Sequence, residues 1–409
     1  MTSRRLRAAQ RREALETPQY GWIWKPLLVV LIVALVVMVG LGVWWSKAPK
    51  AFDVEAVTEQ QRQSSSPAGR GVVTVATLKQ LLDTLQDKPG GYLRDDVLPP
   101  GVVMDNMPSW EWGVLQQAQV MSHQLASLDP RTAPPVEALD AAMRGNADNW
   151  ILSSTGKKLA EASGQVGDYL EQFDQASGTA FAANGQGLAA WLGAVRTKLA
   201  PLTERLSASV GDADMLKELG IAVPESADVP WYRVDNDLHQ ARGQSWALSR
   251  LMAAMLRDQR DAIESAGMLD QWQRAQAELE RTQRHLWSPV VLRGSGFGIF
   301  ANYPLTMAHH LTRIDASLAE LEAGLAIEPS RSSRSEPSAG EQPSAGEQPS
   351  AEEQQPSASE PSSEQEGQEA PAEEASPEAE QGAPSDETSS EAEQSAPAEE
   401  ASPEDQAAA

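Results

Sequence analysis

Carboxylates set among aromatic rings are what sugar hydrolysis requires: a general acid, a second carboxylate and flat faces on which a ring can stack. The chain has one stretch of this kind. Gly90-Gly91-Tyr92-Leu93-Arg94-Asp95-Asp96 is followed by Met104-Asp105-Asn106-Met107-Pro108-Ser109-Trp110-Glu111-Trp112. Asp105 and Glu111 are the candidate acids, and Tyr92, Arg94, Trp110 and Trp112 a candidate ligand or partner surface. The plainer reading is a loop whose tryptophans close one end of a helical body and whose acids lie near helix N-termini, where the helix dipole favours them.

Other patterns that could carry chemistry are incomplete. Arg293-Gly294-Ser295-Gly296-Phe297-Gly298 follows Val290-Val291-Leu292, as a phosphate-binding loop follows a strand. Its third glycine falls one residue early for G-x-G-x-x-G, no Gly-Lys-Ser/Thr follows, and no βαβ pattern surrounds it. Gly294, Gly296, Phe297 and Gly298 are therefore kept as a turn, with a hinge or partner-binding loop as the functional alternative. Gly243-Gln244-Ser245-Trp246-Ala247 approaches G-x-S-x-G but lies inside a helical period and ends in alanine. The five histidines include no H-E-x-x-H pattern, and His309 and His310 are adjacent, about 100° apart on a helix. With no cysteine in the chain, disulfides, thiolate metal sites and a cysteine nucleophile are excluded. No metal, no cofactor and no catalytic residue is assigned, and the expectation is a protein that is not an enzyme.

The elements that would position these residues begin with a membrane span. Leu27–Trp45 reads LLVVLIVALVVMVGLGVWW, nineteen residues without a charge. As a helix it is about 28 Å long, close to the hydrocarbon thickness of a bilayer. Trp22 and Trp24 flank one end, Trp44 and Trp45 the other, as interfacial belts. The stretch exceeds the apolar core of a cleaved signal peptide, so it is read as an uncleaved single-pass anchor. Five arginines lie upstream, and only Lys47 and Lys50 close downstream. The positive-inside rule then places the N-terminus in the cytoplasm and the rest outside it, in the periplasm of a bacterium with two membranes.

The organisation expected is a basic cytoplasmic N-terminus (1–25), a transmembrane helix (26–46), a stalk linker (47–73), a helical extracytoplasmic domain (74–327) and an acidic repeat tail (328–409). Apolar residues recur at spacings of three and four: Val114, Ala118, Met121, Leu125 and Leu128; Leu188, Leu192, Val195, Leu199, Leu202 and Leu206; Leu311, Ile314, Leu318, Leu321 and Leu325. That is the amphipathic-helix period, and no stretch sustains a period of two. Pro99-Pro100-Gly101 and Pro108 keep 92–108 irregular, with Ser109 as the N-cap of the next helix. Trp191, Trp246 and Trp272 fall on apolar faces and are assigned to the core. The fold class is all-α: one N-terminal transmembrane helix, an elongated helical bundle and a disordered tail.

The formal net charge of −25 mainly describes that tail, which holds 22 acidic residues against Arg331 and Arg334. It has no Leu, Ile, Val, Met, Phe, Tyr or Trp, so it has nothing to bury against its ordering entropy. Nucleic acid is not an expected partner, because phosphate binding needs a clustered basic footprint.

Taken together, 90–96, 104–113 and Gly294-Ser295-Gly296-Phe297-Gly298-Ile299-Phe300-Ala301-Asn302 resemble a bacterial family of uncharacterised membrane-anchored proteins, the domain of unknown function numbered 2333. The resemblance spans roughly residues 20–325. It implies Gram-negative bacteria and an N-terminal anchor, and carries no activity, cofactor or catalytic residue. The function expected is a scaffold or partner-binding protein of the cell envelope, with an envelope protein or peptidoglycan as partner. Glycan binding or cleavage through 92–112 is the alternative.

Overall fold

Val114, Ala118, Met121, Leu125 and Leu128 form one buried stripe on a helix running Asn106–Leu128, and the other three–four patterns behave alike. The computed structural model describes residues 2–16, 20–62, 68–94, 96, 99–129, 133–144, 155–175, 181–224, 229–230, 233–285 and 302–327. In chain order the helices are α1 (Thr2–Glu16), α2 (Tyr20–Trp45), α3 (Val54–Gln61), α4 (Val72–Asp87), α5 (Asn106–Leu128), α6 (Val136–Arg144) and α7 (Thr155–Gln175). They continue with α8 (Gln186–Ala208), α9 (Ala213–Glu218), α10 (Val234–Asp258), α11 (Arg260–Ser265), α12 (Leu269–Thr282) and α13 (Tyr303–Ile327). A 3-10 turn, Gly101–Val103, precedes α5. There is no strand among the described residues, and the fold is all-α.

Helix α2 differs from the rest. Its 22-residue segment Trp24–Trp45 is long and apolar enough to cross a membrane, and it is not buried in the protein, with Trp45 at its end partly covered by the body. The helices from α4 onward contribute to one main hydrophobic core, and Val54 of α3 packs with Val73 and Ala254 in a small cluster of its own. At the centre of the main core α10 lies against α5, with α4, α8 and α12 packed around them. The central pair approaches to backbone contact. A Cβ on Gly113 would overlap the Gln240 carbonyl oxygen, and one on Gly243 would overlap that of Trp110. The G-x-S-x-G-like segment is thus part of a helix crossing, and Ser245 is fully buried beside it. Trp191, Trp246 and Trp272 are also buried, the last donating its indole N–H to the Met252 carbonyl at 3.2 Å. Arg196 of α8 ties α13 through Asp315 (2.9 Å) and Glu322 (2.8 Å).

Two local features differ from the sequence expectation. First, the described part of 47–73, expected as a stalk linker, contains helix α3. Asp53 caps α3 by accepting from the Glu55 and Ala56 amides, and Val54 and Val57 are buried. Phe52 meets Trp246 edge-on at 5.7 Å, and Arg250 donates to its carbonyl at 2.9 Å. A low apolar content misleads here because three apolar side chains on one face suffice when the body offers a seat. Helix α4 also begins at Val72, slightly before the expected domain start. Second, α5 is capped at Asp105, not Ser109. Pro108 falls in its first turn, where an amide would have no intrahelical acceptor, so proline is tolerated.

Candidate functional site

The residues that drew attention in the sequence fall at the end of the body next to α2. Helix α4 stops at Lys88, and the chain turns through Gly90 and Gly91, both with positive φ (87° and 68°). Gly90 is pressed against the ring of Trp45, the last residue of α2, so closely that a Cβ would stand 2.7 Å from it. Only a residue without a side chain, and with access to left-handed φ, suits that position.

Glu111 organises this turn. Its side chain and that of Lys88 are almost wholly buried, and they pair at 2.6 Å. The carboxylate also accepts the amides of Leu93 (3.0 and 3.1 Å) and Arg94 (2.9 Å), while Lys88 donates to the Gly91 carbonyl at 2.5 Å. Burial pushes the Glu111 carboxyl up, against the opposing pull of Lys88 and the two amides. Both of its oxygens are therefore engaged in holding 88–94 in shape. Its contacts are those of a structural ion pair.

The other named residues divide between core and surface. Trp110 is 2% exposed and stacks obliquely on Trp246 at 5.1 Å. Trp112 is half-buried, and the exposed Arg94 lays its guanidinium over the ring at 4.2 Å. Tyr92 is half-buried on the same turn. Asp105 is exposed at the head of α5 and makes no side-chain capping bond. Gly294, Gly296, Phe297 and Gly298 lie outside the described residues.

One feature was missed from sequence. A cleft of about 480 Å³ opens where α2 meets the body. Lys47 just after α2, Asn106, Met107 and Trp110 of α5, and His239 and Arg242 of α10 line it. His285 borders it as well, and no carboxylate is among its described lining residues. Arg242 is held by a bond from Nη1 to the Arg284 carbonyl at 2.8 Å. Behind His239, at 3.5 Å, stands Asp235. Burial, with Asp105 nearby, pushes the Asp235 carboxyl up to about 6. Burial, with Arg242 beside it, brings the His239 imidazole down to about 4. The signal available in the sequence was weak: His239 and Arg242 stand three apart on one helix face, and Lys47 follows the apolar stretch.

A family model described as "Uncharacterized protein conserved in bacteria (DUF2333)" matches residues 17–326. The chain belongs to this family. The DUF2333 span takes in α2 and runs almost to the end of α13, so the Glu111 turn and the cleft are both inside it. The acidic tail lies beyond it. No curated protein and no solved structure matches the chain.

Proposed function

We propose that this DUF2333 protein is a non-enzymatic envelope protein, anchored in the cytoplasmic membrane by α2 and presenting its helical body on the outer side, where it binds a partner. The observation that carries the reading is Glu111. The best-placed acid in the aromatic stretch is buried, paired with Lys88 and saturated by the Leu93 and Arg94 amides. A general acid needs an approachable proton. What the pinned turn does offer outward is Arg94 stacked on Trp112, a combination well suited to recognition. The charge asymmetry across α2, five arginines before it and two lysines soon after, supports an outward body. The proposed organisation is a cytoplasmic 1–25, the span 26–46, an extracytoplasmic body to residue 327 and a solvated tail from 328.

The test is in-cell photocrosslinking from position 92 of the full-length protein, which leaves Arg94 and Trp112 in place, with mass spectrometry of the adduct. Reproducible capture of one particular envelope protein, lost on Trp112→Ala, is the expected result. Capture of wall glycan alone would replace this reading with the glycan-binding one. A reporter active only outside the cytoplasm, fused after Ala326, is expected to be active; an inactive fusion in an inserted protein would reverse the orientation.

A further inference from the structure

We infer that the cleft at the foot of α2 is a seat for the phosphate headgroup of an anionic phospholipid, and that Val102 and Val103 dip into the same leaflet beside it. This rests on the proposed anchoring of α2. Residues 46–48, which form one wall, directly follow the apolar segment Trp24–Trp45. A group held against them lies at the depth of the headgroups, just beyond the hydrocarbon.

Chemistry and position agree. The cleft sets two basic side chains, Lys47 and Arg242, beside an apolar wall made by Met107 and Trp110. A phosphodiester with a glycerol backbone needs that pairing: cationic donors for its oxygens and an apolar face for the carbons behind them. Arg242 is oriented in advance by its bond to the Arg284 carbonyl, which lowers the ordering cost of binding.

A second, independent feature lies on the same end. The 3-10 turn Gly101–Val103 leaves Val102 and Val103 with 52% and 68% of their surface exposed, side by side. Pro100, just before them, reaches α2 one turn inside its end: its Cβ stands 3.8 Å from a Cβ placed on Gly42. Two exposed valines alongside an apolar span are immersed wherever that span is, and burying them in the interfacial zone removes their contact with water. Only Met104 and Asp105 separate the valines from Asn106 of the cleft, so both features address one leaflet.

The test uses the full-length protein purified in mild detergent and native mass spectrometry. The probes are phosphatidylglycerol and phosphatidylcholine with identical acyl chains. Wild type is expected to retain phosphatidylglycerol in preference, and each cation removed should lower the preference about fivefold, as expected for a basic side chain at a lipid surface. Lys47→Gln therefore weakens it and Lys47→Gln/Arg242→Gln abolishes it, with far-UV circular dichroism unchanged. The Lys47 side chain is exposed, so the single variant decides the matter if the double variant unfolds. Equal retention of the two lipids by wild type, or a preference untouched by Lys47→Gln, overturns the proposal. Loss of the preference in millimolar inorganic phosphate overturns the lipid as source and leaves a free-phosphate site. Alkaline carbonate extraction of native membranes separates the two claims. Protein released to the supernatant defeats the anchor itself, while protein retained in the membrane without lipid preference defeats the lipid seat alone.

Discussion

Glu111, an acid among aromatic rings, pairs with Lys88 and holds the 88–94 turn through the Leu93 and Arg94 amides. Removing two charges from water is costly, and the pair is stable only because each partner also satisfies backbone groups of the 88–94 turn. Glu111→Gln leaves an ammonium buried without a counter-charge and should destabilise the protein by about 3–5 kcal/mol. Adding Lys88→Met removes the stranded charge, and the carbonyl oxygen of the substituted amide can still accept from the Leu93 and Arg94 backbone. The double variant is therefore expected to recover most of the loss, measured by denaturant unfolding of the full-length protein in detergent. A double variant as unstable as Glu111→Gln would mean that the ion pair is not what the carboxylate contributes. The sequence marks Glu111 as an acid among aromatic rings and does not reveal its partner. Carboxylate beside tryptophan is a legible signal, but the cation that neutralises it, Lys88, lies far back in the chain across a Pro-Gly-Gly turn, and spacing does not encode that contact.

At the scale of elements, most helices could be read from the three–four spacing of leucines, because each needs only one apolar stripe to join a core. The joins between helices could not. The N-terminus of α4 is an instance: Gly71 sits at its cap with no side chain to offer. Asp258, at the end of α10 and far away in sequence, supplies the acceptor instead, taking the Thr74 amide at 2.7 Å and its hydroxyl at 2.6 Å. The Gly71 and Val73 amides bond to it too. Burial outweighs these donors and pushes the Asp258 carboxyl up to about 6 from 3.8. Between those values the folded protein holds a proton that the unfolded chain releases, so this group's contribution to stability falls as pH rises from about 4 to 6. Asp258→Asn keeps an acceptor but cannot titrate. The stability of wild type relative to the variant is expected to decline across that window by an amount on the order of 3 kcal/mol, since one pKa unit is about 1.4 kcal/mol. Other titrating groups are common to both proteins and cancel. Unfolding series at several pH values between about 4 and 7.5 would check it, and a constant difference would mean that Asp258 remains ionised throughout, held by the helix N-terminus.

For the whole molecule, the decisive relation is that between α2 and the body. The apolar stretch itself was plain in the sequence, because nineteen uncharged residues make a helix long and apolar enough to cross a membrane. Its attachment was not, since a segment rich in Ser, Gly and Gln reads as a flexible tether. Three contacts argue against a free tether: Trp45 on Gly90, Pro100 beside Gly42, and Phe52 against Trp246. Each joins α2, or the chain just after it, to the body. A body so held would move with α2 and, on the proposed anchoring, keep the Arg94–Trp112 face and the basic cleft at constant depth relative to the membrane. This is measurable because the chain has no cysteine, so two introduced ones are unique. With spin labels at Gly40→Cys in α2 and Val103→Cys in the turn before α5, reconstituted full-length protein is expected to give a single narrow distance distribution. A broad distribution would restore the tether, separate the cleft from any fixed membrane depth, and remove the geometric basis for a lipid seat.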